Sequence, residues 1–231
     1  MSTSESFRPL SNQLKYYLVS KRHFVWKCLI VIFLVASLFI LLTGFLNPIE
    51  DHHSFRQTQV AITIYWMITE DLFSYIVPVT LPPWNVPREL PLYQFMVAVL
   101  CKLFNFQIEP CARFVSITFF YLSSFYLYKA TKLIFCSLLT ARFTVIVFLL
   151  SPIYLFLSRA CMIESLALFL GLCFMYNAMI LVEKSRYNII ALTILGILAA
   201  LVKITTFYPI ILFVFLYCLF NKAELLKNKK N

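Results

Sequence analysis

The run LIVIFLVASLFILLTGFL, residues 29–46, contains eighteen consecutive residues without a charge. An α-helix needs about 20 predominantly apolar residues to cross the hydrocarbon core of a bilayer, so this run predicts a transmembrane helix. A polar, basic segment that ends at Lys27 precedes it, and no small-residue cleavage site follows. The pattern predicts an uncleaved anchor with its N-terminus in the cytoplasm.

The rest of the chain has the same apolar character. Of its 231 residues 61% are hydrophobic and 13% charged, and the mean hydropathy is +0.84. These values exclude an ordinary soluble domain, and repeated apolar runs favour a helical bundle, since a membrane barrel would show short alternating segments. The net charge of +10 is explained by Lys and Arg in cytoplasmic loops, so no nucleic acid partner is expected.

Residues 47–112 differ from the rest in composition. Six of the ten acidic residues and seven of the ten prolines fall there, which predicts a structured external loop. Within it, the helical spacing of residues 55–73 predicts a helix along the membrane interface. Residues 92–104 are apolar but short for a span and include Lys102, so we expect them to stay at the outer face.

The distribution of basic residues then sets the topology. With spans at 29–46, 114–135, 143–157, 161–182, 187–202 and 204–220, fourteen of the twenty Lys and Arg residues are cytoplasmic. The sequence therefore predicts an all-α integral membrane protein of about six transmembrane helices, with juxtamembrane helices in the long first external loop. The predicted organisation is a cytoplasmic tail (1–26), a membrane domain (27–220) and a basic cytoplasmic tail (221–231).

This topology brings several ionisable groups to the outer membrane face. A charge in an apolar segment costs a few kcal/mol, so one that is present usually lines a polar cavity or pairs with another charge. Interfacial snorkelling and simple ion pairing are the structural alternatives. The groups are Arg113, Arg159, Glu164 and Lys203.

The most polar segment follows the first span. Glu50 or Asp51 could act as a general base on an acceptor hydroxyl, although either could instead form a solvated turn or a helix N-cap. His52 and His53 beside these acids make a divalent cation site possible, but adjacent histidines rarely bind the same ion, so it is the less favoured interpretation. Arg56 lies on the helix face of the histidines by i+3 and i+4 spacing, where a cation could meet a phosphate.

Five motifs in this order resemble the GT-C superfamily of membrane glycosyltransferases, in particular the protein O-mannosyltransferase and lipid A aminoarabinose transferase group. They are DHHSFRQTQVA (51–61), ELPLYQF (89–95), Arg113, SRACMIE (158–164) and LVK (201–203). The resemblance covers roughly residues 27–220 and implies a polyprenyl-phosphate-linked sugar as donor and an extracytoplasmic reaction. It also implies a multi-pass protein of the cell inner (plasma) membrane.

The resemblance implies roles for individual residues. The catalytic acids expected from it are Asp51 as base, Glu50 as the second choice for base, and Glu164. The residues expected to bind donor phosphate or acceptor are His53, Arg56, Gln57, Glu89 with Arg88, Arg113, Arg159 and Lys203. When the motif is aligned on Arg56, the usual acidic position falls on His53, so Asp51 lies two residues early. Family members continue through further spans, so this chain resembles their N-terminal conserved portion.

Two alternatives of other classes remain at this point. One is an inactive truncated homologue or a membrane subunit that binds lipid phosphate or a partner helix bundle, and a second membrane subunit would fit a split enzyme. The other is a small transporter or channel, which is less favoured because the sequence shows no inverted repeat.

Overall fold

The computed structural model describes residues 10–49, 54–73, 89–184 and 189–228. All regular secondary structure in these ranges is helical, which confirms the all-α prediction. The eight helices of this described part are α1 (Leu10–Leu42), α2 (Ser54–Thr69), α3 (Leu92–Phe104), α4 (Ile108–Phe135), α5 (Leu138–Leu149), α6 (Pro152–Arg159), α7 (Glu164–Lys184) and α8 (Ile189–Asn228).

Three helical segments in the described ranges are long and apolar enough to cross a membrane: Phe24–Leu42, Glu164–Val182 and Ile189–Phe220. Helices α5 and α6 together make a fourth candidate, bent by 55°. Pro152 opens α6 at this bend, because proline has no N–H to continue the α5 hydrogen-bond ladder. A multi-pass membrane protein is therefore confirmed, although three or four candidates are fewer than the six predicted spans.

The difference in count has two sources: α4, which contains the predicted span 114–135, is not among the candidates, and the two predicted spans in α8 are counted together. The sequence predicted separate spans at 187–202 and 204–220, and α8 consists of two helical segments that meet at a break at Lys203 (φ −164°, ψ 95°). The break frees the Leu201 carbonyl, which accepts a hydrogen bond from the Leu90 N–H at 2.8 Å. Both segments pack on α7: Leu192 before the break and Val214 after it belong to one cluster, although a continuous helix would separate them by about 33 Å. The chain therefore folds back at Lys203.

Helix α7 is the centre of the bundle. It packs against α4 on one side and α8 on the other, and 61% of its candidate span is buried. Only 11% of the candidate spans in α1 and α8 is buried, so most of their apolar side chains face outward, as contact with lipid requires. In lipid such helices associate through close packing and polar contacts and not through the hydrophobic effect.

Helices α2 and α3 lie within the predicted external loop and pack against each other and against α4. The predicted helix at 55–73 is present as α2, but it is more than an interfacial helix. Its residues Val60, Ile64 and Met67 are fully buried in one cluster with Tyr93 and Val97 of α3. The loop thus forms part of the folded core and gives the polar residues beside it a rigid support.

Candidate active site

An ion pair joins α2 to the residue that precedes α3. Arg56 Nη2 donates to Glu89 Oε2 at 2.5 Å, and Arg56 Nη1 lies 3.4 Å from the Gln59 amide oxygen. The Arg56 and Glu89 side chains retain 28% and 23% exposure, so a ligand can reach this pair. The structure thus brings together two residues that the sequence placed in the donor site.

A second ion pair joins α8 to the start of α7. Lys203, at the break in α8, donates through Nζ to Glu164 Oε1. Glu164 Oε2 is buried and has no hydrogen-bond partner among the residues that the structure describes. Because a buried carboxylate oxygen without a donor is costly, this atom is a ready acceptor for a substrate hydroxyl.

The Leu90 to Leu201 hydrogen bond connects the two ion pairs. Leu90 follows Glu89 directly, and Leu201 lies two residues before Lys203. The bond therefore fixes the chain at Glu89 beside the break in α8. This places both ion pairs at the same end of the bundle, as the predicted topology required.

A cavity of about 220 Å³ opens beside Glu164. Its polar wall consists of Glu164 and the hydroxyl-bearing side chains of Ser158, Ser165 and Thr206, and aromatic and aliphatic side chains of α4, α6 and α7 form the rest. The Ser158 hydroxyl bonds to the Tyr154 carbonyl at 2.6 Å and lies 3.3 Å from the Ser165 hydroxyl. An apolar cavity with a few oriented polar groups is the usual form of a small-molecule site.

Arg113 is almost fully buried, with 5% exposure, and it contacts the main chain. Its guanidinium donates to five backbone carbonyl oxygens, those of Gly44, Phe45, Asn47, Pro48 and Arg159. The sequence predicted that Arg113 binds substrate. The structure shows nitrogens of its guanidinium bonded to the segment after α1 and to the end of α6, and its role in substrate binding stays a prediction.

Gln57 is also buried, and its side chain holds a turn. Its Oε1 accepts a hydrogen bond from the Cys161 N–H at 3.0 Å, in the turn between α6 and α7. Only 2% of Gln57 is exposed, and the predicted binding of substrate by this residue stays a prediction. Burial, followed by the nearby Glu109 charge, raises the pKa of the Cys161 thiol to about 12.

Two further polar residues support the same turn, and neither was predicted as a site residue. The Ser116 hydroxyl lies 3.3 Å from the Ala160 carbonyl, and Tyr93 OH donates to the Ala112 carbonyl and lies 2.9 Å from Ser116 Oγ. Their hydroxyl groups could have indicated this role from the sequence, because a hydroxyl in an apolar helix needs a buried hydrogen-bond partner.

Arg159 lies between the turn and the end of α1. It is half-buried, and a Cβ placed on Gly44 would be 3.4 Å from its Nη2 atom. Gly44 has a φ of +71°, a conformation that side-chain-bearing residues rarely adopt. The guanidinium of Arg159 therefore reaches the chain that leads into residues 50–53.

Several predicted site residues lie outside the described residues. They are Glu50, Asp51, His52, His53 and Arg88. The chain on either side of 50–53 is described: Pro48 bonds to Arg113, and Ser54 starts α2. Among the described residues no group of three or more His, Cys, Asp or Glu side chains could hold a metal ion, and the predicted histidine site lies outside them.

Residues 85–231 match the model of the family described as dolichyl-phosphate-mannose-protein mannosyltransferase. The match confirms the resemblance to the GT-C superfamily. It extends from just before Glu89 through α8, so it contains Arg113, Arg159, Glu164 and Lys203, while Asp51 and α2 precede it. No curated protein and no solved structure matches the chain.

Proposed function

Because the chain belongs to the dolichyl-phosphate-mannose-protein mannosyltransferase family of membrane glycosyltransferases, we propose that it transfers a sugar to an acceptor hydroxyl at the extracytoplasmic membrane face. The donor class at this family level is a polyprenyl-phosphate-linked sugar. The family match carries the proposal. The two ion pairs and the cavity at one end of the bundle support it, because phosphate and sugar need such groups.

In the proposed reaction a carboxylate removes the proton of the acceptor hydroxyl. The hydroxyl oxygen attacks the anomeric carbon, the bond from that carbon to the phosphate oxygen breaks, and polyprenyl phosphate leaves with the electron pair. We assign the base to Asp51, with Glu50 as the second choice, because the chain leading to them is held beside Arg159 and α2. His53 is assigned to donor binding on the same segment.

The cations stabilise the charge that develops on the leaving phosphate. Arg56 and Lys203 are each paired with a carboxylate, so their charges are already compensated, while Arg159 has no carboxylate partner among the residues that the structure describes and adds positive charge for a phosphate. Fixed cations act strongly because they need no reorganisation as charge develops. Glu89 then holds Arg56 in place, and Glu164 Oε2 accepts a hydrogen bond from a sugar or acceptor hydroxyl.

The proposal includes an orientation and an assembly. Both termini lie in the cytoplasm of a multi-pass protein of the cell inner (plasma) membrane, because that arrangement keeps most Lys and Arg residues cytoplasmic. A second membrane subunit could complete the acceptor side. No cofactor is assigned, and a divalent cation at His52 and His53 is the open alternative.

The test is transfer from a labelled polyprenyl-phosphate sugar by the purified chain in lipid nanodiscs. We expect Asp51→Asn and Glu164→Gln each to lower the rate by about 100-fold or more, the range for loss of a general base or oriented carboxylate. Asp71→Asn is the matched control, because Asp71 is an exposed carboxylate beyond the end of α2. Unchanged transfer in both site variants would overturn the mechanism, and donor binding without transfer by the wild-type chain would favour a non-catalytic subunit.

A further inference from the structure

Arg113 connects two segments that are far apart in the sequence. Nη1 donates to Gly44, Phe45 and Asn47 at 3.0, 2.7 and 2.5 Å, and Nη2 donates to Pro48 at 3.3 Å. Nε donates to the Arg159 carbonyl at 3.1 Å. All three guanidinium nitrogens are thus bonded to the backbone, four of the five bonds going to the segment after α1 and one to the end of α6.

The chemistry of arginine suits this arrangement. Helix α1 ends at Leu42, and Gly44 with its positive φ turns the chain, so the carbonyls of residues 44–48 do not belong to a helix. A planar guanidinium presents five N–H donors in a fixed fork, whereas a lysine ammonium is a point charge on a flexible stem. A lysine here could keep the charge but could not hold carbonyls of both segments in one geometry.

Both segments lead directly into residues of the proposed site. The first continues from Pro48 to Glu50 and Asp51, and the second continues from Arg159 to Glu164. We propose that Arg113 is a positioning residue, which fixes the segment before the proposed base against the Arg159 to Glu164 turn by bonding to the main chain of residues 44–48 and of Arg159. This inference rests on the proposed function for its catalytic consequence.

The other side of the turn is fixed independently. Gln57 of α2 accepts from the Cys161 N–H, and the Ser116 hydroxyl contacts the Ala160 carbonyl. The turn is therefore held by α2 and α4. The segment after α1 is the other part of the proposed site, and Arg113 links it to the turn. Since a displacement of about 1 Å in a catalytic group can lower a rate by about 100-fold, this tie bears directly on catalysis.

The first experiment separates positioning from phosphate binding. For Arg113→Lys we expect kcat to fall at least about 10-fold while KM for the donor changes less than about threefold. Arg142→Lys, in α5, is the matched control and should change neither value. Full activity in Arg113→Lys, or a rise in KM with kcat unchanged, would overturn the proposal. Either result would mean that the positive charge of residue 113 acts on the donor.

The second experiment does not depend on transfer activity. Spin-labelled unnatural amino acids at Leu46 and Ile153, which are 76% and 68% exposed, would report the distance between the segment after α1 and α6. We expect one narrow distance distribution in the wild type and a broadened or shifted one in Arg113→Lys. An unchanged distribution in the variant would overturn the proposal. Failure of the wild type to transfer sugar would refute the proposed function but leave this measurement valid.

Discussion

The ion pair between Lys203 and Glu164 yields a quantitative prediction. Removing one partner of a fully buried ion pair typically costs about 3–5 kcal/mol, because it leaves an uncompensated charge. The two side chains here keep 20% and 15% exposure, so partial access of water reduces the expected cost. We expect Lys203→Met or Glu164→Gln alone to lower the free energy of unfolding by about 2–3 kcal/mol.

The double variant Lys203→Met/Glu164→Gln removes both charges and isolates their coupling. Replacing a buried ion pair by neutral groups of similar volume is often close to neutral, so we expect it to recover most of the lost stability. Sugar transfer should remain lost in all three variants, because the proposed catalysis needs the carboxylate and the cation. Stability and activity therefore separate in the double variant.

The measurement is reversible unfolding in mixed micelles by denaturing detergent, with sugar transfer assayed in nanodiscs on the same preparations. The coupling energy is the amount by which the double variant departs from the sum of the single variants. Single variants that each cost less than about 0.5 kcal/mol and simply add would refute the reasoning. That result would mean that the pair is a solvated surface contact.

Three other predictions concern the turn before α7 and the end of α1. Gln57→Leu should lower the free energy of unfolding by about 1–2 kcal/mol, because the buried Cys161 N–H loses its acceptor. Gln57→Glu is the control, because it keeps that acceptor. Equal unfolding midpoints for the two variants would contradict the role of Gln57. The Cys161 thiol should resist maleimide at pH 8 while the exposed Cys136 reacts, as measured by mass spectrometry, because a pKa of about 12 keeps the thiol protonated until far higher pH. Gly44→Ala should destabilise the chain by about 1 kcal/mol and lower kcat, since φ is +71° and the added Cβ would lie 3.1 Å from the Asn47 amide; an unchanged melting temperature and kcat would argue against it.

The sequence predicted the helices well because their signal is local. Apolar runs marked most of the helical segments, and helical spacing marked α2. The proximity of Glu164 and Lys203 could also be predicted from the sequence, because charged residues in apolar segments tend to pair. The boundary predicted at Lys203 is present as the break in α8, whereas α4 contains the predicted span 114–135 but is not among the candidate spans.

The partners of Arg113 and Gln57 could not be predicted for a different reason. Both side chains bond to main-chain atoms, and every residue carries the same N–H and C=O groups, so no motif marks the partner. The sequence showed a buried cation and an amide near the proposed site and assigned them to substrate. Only the fold shows that these side chains also bond to the backbone at Asn47 and Cys161.

The break in α8 also has a consequence for how the protein is made. Lys203 lies within an apolar stretch of 32 residues, at the break in α8, and a charged residue in an apolar segment opposes insertion. Helix α7 precedes α8 in the chain, so Glu164 is synthesised before its partner leaves the ribosome. We therefore expect Glu164 to assist the membrane insertion of Lys203, so a change at Glu164 should lower the yield of correctly inserted protein as well as its activity.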